Sequence, residues 1–300
     1  MFLEAGQSYR AESRAWIDSM LPAPLTGPIE VTKESPWSLV ATVPTAAGQL
    51  WFKENRAGTI YEAALVQALA RWAPEQVLAP VAVEPARGWS LLPDGGTILR
   101  VAHQTPQVAD WEGLLRRHAQ LQRDLMPYAE EMLAVGVPDL RPKSITAHFE
   151  RLSVPESYVD QLTEMGERLA ASAIQPSLQH DDLHDANVFT SGRFFDWGDA
   201  SVAHPFGVLL VCLRVASDRF GVPDRDPLLA HLRDVYLEMW SDLADRATLL
   251  AEVDAALQVT KVSRALSWER SLVGASAEDL ERYGDNVNGW IAELAEPNVL

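Results

Sequence analysis

The sequence has one cysteine, Cys212, inside the apolar run 208–213. With no second thiol there is neither a disulfide framework nor a multi-cysteine metal site, and Cys212 reads as a small apolar core residue. No stretch approaches the ~18–20 consecutive apolar residues of a spanning helix. Glu4 interrupts the N-terminus before the apolar segment of a signal peptide can form, so a cytoplasmic, membrane-free protein is expected. Positive charge is scarce as well: Lys+Arg 25 against Asp+Glu 42 gives a net charge of −17. Such a surface repels phosphate backbones and argues against a nucleic-acid partner. The deficit is uneven, with 8 basic and 10 acidic residues in 1–100 against 17 and 32 in the remainder. The second part attracts cations, and its plainer reading is a solvated acidic helical exterior. What is plentiful is apolar content: 47% hydrophobic over 300 residues buries a sizeable core in one large fold or two lobes, and excludes disorder as the main state.

Punctuation is dense before residue 100. Short apolar stretches at 29–33, 39–43 and 50–52, separated by Ser35-Pro36 and by Thr45-Ala46-Ala47-Gly48, read as an antiparallel meander ending at Lys53. Ile60, Ala64, Leu65, Ala68 and Leu69 recur at helical spacing, which predicts a helix over 59–72 ended by Pro74. Residues 77–83 and 89–92 are further strand candidates. Pro93-Asp94-Gly95-Gly96 is the strongest turn signal and places a lobe boundary there, giving lobes 1–95 and 96–300. Beyond it the period is helical over 108–125, 145–152, 157–172, 205–220, 228–243, 248–273 and 277–294. The expected class is α+β: an antiparallel sheet lobe with one helix, then a larger helical lobe.

Residues 174–204 break that helical pattern. They contain His180-Asp181-Asp182-Leu183-His184-Asp185-Ala186-Asn187, then two short apolar triplets around Ser191-Gly192, then Asp196-Trp197-Gly198-Asp199. A two-residue hairpin loop at 191–192 would pair 188 with 195 and 187 with 196. Asn187 and Asp196 would then stand opposite each other, about 5 Å apart at Cβ, and their oxygens suit Mg²⁺. Asp182, on an irregular loop, can hang over the same point as a base. Asx-turns explain one such residue well. They do not readily explain Asp181, Asp182, Asp185 and Asp196 gathered with two histidines, since like charges crowd unless a cation or a catalytic role offsets them.

His180-x-Asp182-x4-Asn187 followed by Asp196 resembles the catalytic loop and metal-binding aspartate of the aminoglycoside phosphotransferase and choline kinase group, relatives of the protein kinases. The resemblance implies a bilobal protein kinase-like fold and γ-phosphoryl transfer from ATP or GTP. It assigns Asp182 as the acceptor of the substrate hydroxyl's proton, His180 as a brace for the loop, and Asn187 and Asp196 as Mg²⁺ ligands. Lys53 becomes the nucleotide-phosphate lysine and Glu62 its helix partner, although Thr59-x-x-Glu62 also reads as a capping box. No Gly-rich phosphate loop is present; Glu34-Ser35-Pro36-Trp37-Ser38 stands in its place, with Ser35 and Ser38 as phosphate contacts or as a plain turn. Leu91, Leu92 and Pro93 form the hinge against which the base packs, with Asp94 beside them. The chain departs from the group at Asp181, where glycine is usual, and at Ala203-His204-Pro205 in place of Gly-Asp-Pro.

The resemblance further implies a cationic small-molecule acceptor held by carboxylates, for which Asp181, Asp185, Asp199, Glu269 and Asp285 are candidates, with Trp268 stacking on a ring or capping an ammonium group. Two other readings stand beside this one. His180, Asp181, His184 and Asp196 form the donor set of a metal-dependent phosphohydrolase, or the fold binds nucleotide as a non-catalytic sensor.

Overall fold

The computed structural model describes residues 2–300, and the side chains of 2–10 lie outside that description. The chain runs α1 (Phe2–Met20), β1 (Glu30–Glu34), β2 (Ser38–Thr45), β3 (Gly48–Asn55), α2 (Glu62–Trp72), β4 (Ala82–Glu84) and β5 (Trp89–Pro93). It continues with α3 (Leu99–Ala102), α4 (Val108–Leu125), α5 (Ala129–Ala134), α6 (Pro142–Ile145), α7 (Glu156–Ala170), β6 (Ser177–Gln179) and β7 (Ser201–Ala203). Last come α8 (Leu209–Phe220), α9 (Pro227–Glu238), α10 (Arg246–Ser271), α11 (Ala277–Tyr283) and α12 (Asp285–Ala292). The α+β class, an antiparallel sheet lobe followed by a mostly helical remainder, is the one expected, with α1 as an added helix before the sheet.

The sheet is antiparallel throughout in the order β1-β2-β3-β5-β4. Strand alternation divides its residues between two faces. Leu39, Ala41, Val43, Leu50, Phe52, Trp89 and Leu91 form a buried cluster on one face, closed by Trp16 and Ile17 of α1. The indole of Trp16 lies 6.0 Å from Phe52 and 5.7 Å from Trp89. Sequence reading assigned no element to α1, because only Ser13, Trp16 and Ile17 of its described side chains are buried, a stripe too narrow to stand out. The opposite face carries Lys53, paired in register with Val40 and Ser90. Lys53 does not end its strand as expected: β3 continues to Asn55, and the lysine is held from both sides.

Three other expectations need correction. The strand expected over 77–83 is confined to Ala82–Glu84, because Pro80 has no N–H to give to a ladder. The helix expected over 277–294 breaks at Gly284 into α11 and α12. That expected over 145–152 begins earlier, with Pro142 in its first turn, where a missing N–H costs nothing, and passes into a 3-10 turn over 146–148. In the helical lobe α10 is almost wholly enclosed; even Lys261 and Arg264 are buried on it. The short antiparallel pair β6–β7 pins both ends of the excursion 180–200, so that segment is a loop system fastened to a rigid base.

Candidate active site

The excursion closes over a cavity of about 170 Å³ beneath the sheet, lined by Lys53, Asp182 and Asp196 together with Asp199, Arg264 and Trp268. Lys53 Nζ donates to Glu62 Oε1 at 2.8 Å and to Asp196 Oδ1 at 2.6 Å. The capping box does not form: Glu62 turns to Lys53 and accepts the Trp197 N–H at 3.0 Å, while Thr59 Oγ1 donates to Trp37 O. Burial opposes the Lys53 charge, but Asp196 and Glu62 outweigh it and hold the ammonium above the usual lysine range. The same ammonium draws the half-exposed Asp196 carboxyl down to about 2, whereas burial pushes the enclosed Glu62 up.

Across the cavity, Asn187 Nδ2 donates to Asp182 O at 2.9 Å and to Asp182 Oδ2 at 3.1 Å. Burial acts to raise the Asp182 carboxyl, but His184, Arg264 and His180 together leave it lowered and ionised. His180 is fully buried and hydrogen-bonded on both ring nitrogens. Its Nδ1 accepts the Asp182 N–H at 3.3 Å, and its Nε2 donates to Phe195 O at 3.0 Å. One accepting and one donating nitrogen define the neutral ring, and burial lowers its basicity in agreement.

The hairpin between these residues differs from expectation by one position. Phe189 N–H donates to Arg193 O and Phe195 N–H to Asn187 O, so Val188 faces Phe194 and Asn187 faces Phe195. The turn takes three residues, 190–192, and Gly192 at φ 83° closes it, a common hairpin closure that asks for positive φ at glycine alone. Asp196 therefore lies one residue beyond the pair. It reaches Lys53 because its own backbone turns into the left-handed region at φ 64°, ψ 66°.

Other candidates are placed elsewhere. Asp181 is enclosed between Gln179 and Ser201, and burial pushes its carboxyl up to about 6. Asp185, equally buried, accepts from Arg100 and Arg219 and ties α3 and α8 to the loop. Glu269 pairs with Arg151 at 2.7 Å, and Asp285 lies exposed at the start of α12. Ser35 and Ser38 close their turn on each other, through the Ser35 N–H to Ser38 O at 2.8 Å and the Ser38 N–H to Ser35 Oγ at 3.2 Å. Trp37, between them, is what lines the cavity. Asp94 is exposed and accepts the Gly96 N–H in its own turn, whereas Leu92 sits opposite Trp51 on the face that carries Lys53. The phosphohydrolase donor set does not converge. His180 and Asp181 are spent on Phe195, Gln179 and Ser201, and among the described residues no group of three or more His, Cys, Asp or Glu has metal-holding geometry.

Asp199 and Trp268 do reach the cavity. Asp199 Oδ1 accepts from Ser267 Oγ at 2.5 Å, and its Oδ2 lies 3.5 Å from Arg264 Nη1. Trp268 stacks on Tyr283 at 6.0 Å and meets Trp37 edge-on at 5.8 Å. Sequence reading missed Trp37, Arg264 and Tyr283. The signal for Arg264 was a charge in the apolar stretch 259–266 of a long helix; Trp37 and Tyr283 gave none, since they meet only across the cleft. The charged lining is balanced, Lys33, Lys53 and Arg264 against Asp182, Asp196 and Asp199, so the chain's acidity does not pool in the cavity.

Phosphoryl transfer is the chemistry that needs a charged lysine fixed by a helix carboxylate, and a second carboxylate poised across from it over an Asp/Asn oxygen pair. Fold and site together define a kinase-like phosphotransferase. The chain belongs to the phosphotransferase enzyme family, whose profile matches residues 43–251. Solved structures of similar shape include an ethanolamine kinase of Plasmodium vivax, with TM-score 0.62 and 11% identity over 88% of this chain and 82% of that one. A macrolide 2'-phosphotransferase from Brachybacterium faecium aligns with TM-score 0.55 and 17% identity over 89% and 94%. A spectinomycin phosphotransferase in complex with ADP and spectinomycin aligns with TM-score 0.50 and 12% identity over 95% of each chain. No curated protein matches this sequence. Among the described residues no helix is long and apolar enough to cross a membrane.

Proposed function

We propose that the protein transfers the γ-phosphoryl group of ATP or GTP, with Mg²⁺, to a hydroxyl of a small amino-bearing molecule such as an aminoglycoside, an amino sugar or an amino alcohol. The observation that carries this reading is the Lys53 ion pair with Asp196 and Glu62, set across one cavity from Asp182 and Asn187. The ADP held in the structure of the spectinomycin phosphotransferase supports a nucleotide donor.

Asn187 and Asp196 fit a hard divalent cation. Asn187 spends its amide nitrogen on Asp182, which leaves its oxygen as the donor, and Asp196 keeps an ionised carboxylate at neutral pH. When bound there, such an ion would supply charge neutralisation for the nucleotide phosphates. Lys53, protonated throughout the neutral range, binds phosphate oxygens from the rigid sheet. Asp182, ionised and fixed by Asn187, orients the acceptor hydroxyl and takes its proton as transfer completes, so positioning outweighs base strength. Neutral His180 keeps the loop in register without adding charge. The Asp199 carboxylate and the aromatic faces of Trp268 and Trp37 suit an ammonium group on the acceptor.

The test is nucleoside-diphosphate release with MgATP against a panel of aminoglycosides, amino sugars, simple sugars and amino alcohols, with Asp182→Asn as the blank. Acceptor-dependent release that falls by roughly 10²–10⁴ in that variant is expected, with MgATP still raising its melting temperature. Full turnover in Asp182→Asn would remove the assigned base. Absence of both acceptor-dependent release and nucleotide stabilisation in the unaltered protein would refute the kinase reading.

A further inference from the structure

Asp196 holds a left-handed backbone conformation, φ 64° and ψ 66°, which non-glycine residues adopt rarely, Asp and Asn more often than others, and which neighbouring contacts help to hold. The neighbours here are consecutive residues at the entry of α2. The Tyr61 hydroxyl donates to Gly198 O at 2.6 Å, with Ala200 O at 2.9 Å as the alternative acceptor. Glu62 takes the Trp197 N–H at 3.0 Å. Trp197 is thus held by Glu62 and either Gly198 or Ala200 by Tyr61, while Asp199 is held by Ser267 of α10.

Tyr61 is itself immobilised. It is 5% exposed, and the Arg270 guanidinium of α10 lies 5.9 Å from its ring. The turn before it packs directly on the end of α10, where a Cβ on Gly58 would stand 1.9 Å from Arg270 O. The grip therefore brings the entry of α2, the end of α10 and the loop after Asp196 together around one buried tyrosine.

We propose that Tyr61 is a positioning residue for the cation-binding aspartate. Its hydroxyl fixes loop 197–200 so that Asp196 presents its carboxylate in the left-handed backbone geometry, and it locks α2 to that loop. The inference rests on the reading that Asp196 holds the cation of the nucleotide complex.

Tyr61→Phe removes the hydroxyl and keeps the ring. Amide hydrogen exchange over 195–201 in the metal-free protein should rise, while exchange in the β1–β3 sheet stays unchanged. The Mg²⁺ concentration that half-saturates ADP binding, followed by calorimetry, should rise roughly 10–100-fold, the usual cost of losing an outer-sphere support. ADP affinity without Mg²⁺ should not move. Para-aminophenylalanine at position 61, which restores a donor at the same point, should recover both readouts. Unaltered exchange and an unaltered Mg²⁺ requirement would reduce Tyr61 to packing, as would an equal loss of Mg²⁺-free and Mg²⁺-dependent binding. If the unaltered protein itself binds ADP without regard to Mg²⁺, the functional reading fails instead, and the exchange result still decides whether Tyr61 fixes the loop.

Discussion

Asp181 and Asp182 are chain neighbours with opposite surroundings. The Asp182 side chain faces the cavity and is kept ionised; Asp181 points into the protein, where burial raises its carboxyl to about 6. The extra carboxylate that departs from the resembled pattern is therefore a core residue held by Gln179 and Ser201 rather than a substrate ligand. A folded-state value above the unfolded one means that the folded chain prefers the protonated form. Its stabilising contribution is complete below about pH 4 and is lost as pH rises through about 6. Asp181→Asn, which stays neutral, should gain stability relative to the native chain as pH rises from 4 to 6. The difference approaches about 3 kcal/mol above that window, at 1.36 kcal/mol per unit. Urea denaturation of both proteins at pH 4.5 and 7.5 checks this, and a pH-independent difference would count against it.

The 187–196 hairpin shows how one element sets the site. Its three-residue turn places Asn187 opposite Phe195 and leaves Asp196 free to turn towards Lys53. Gly192 makes that turn possible at φ 83°, and the Arg117 guanidinium fills the space a side chain would need. Gly192→Ala should lower stability by about 1–2 kcal/mol for the left-handed backbone, since Arg117 is flexible enough to move aside. A calorimetric melting scan reads the loss, and an unchanged melting temperature would show that the turn has another conformation available. The same loop is anchored by Asp185, whose buried carboxylate accepts from Arg100 and Arg219 and fastens two helices to the catalytic segment.

At the scale of the whole molecule, the sheet lobe and the helical lobe meet through the turn at 56–61 and the end of α10. The Gly58 Cα lies so close to Arg270 that an alanine Cβ would stand 1.9 Å from the carbonyl oxygen and 2.6 Å from its carbon. Backbone cannot step aside as a side chain can. Gly58→Ala should therefore cost roughly 3 kcal/mol or more and weaken nucleotide binding through displaced Glu62 and Tyr61. Unfolding and ADP titrations on that variant test it; native stability would mean that the lobes are not joined at this point. The net charge of −17 is a property of the exterior, since the cavity lining carries three cationic and three anionic side chains. Beside those charges the lining carries two aromatic side chains, Trp37 and Trp268.

The sequence by itself determined the fold class, the helix over Val108–Leu125 and the meander, and through its resemblance marked Lys53, Glu62, Asp182, Asn187 and Asp196 as candidates that the structure brings together. These are encoded locally, in apolar periodicity and in the fixed spacing of a loop, and such patterns survive without knowledge of what packs against them. Tertiary structure alone decided which acidic residues face the cavity, because a carboxylate has the same identity whether it meets solvent, as at Asp285, or two arginines, as at Asp185. It also decided the partners of Trp37, Arg264 and Tyr61. Trp37 meets Tyr283, Arg264 meets Asp199 and Tyr61 meets Gly198 across separations that no local pattern records, since those contacts exist only once elements far apart in the chain have packed on each other.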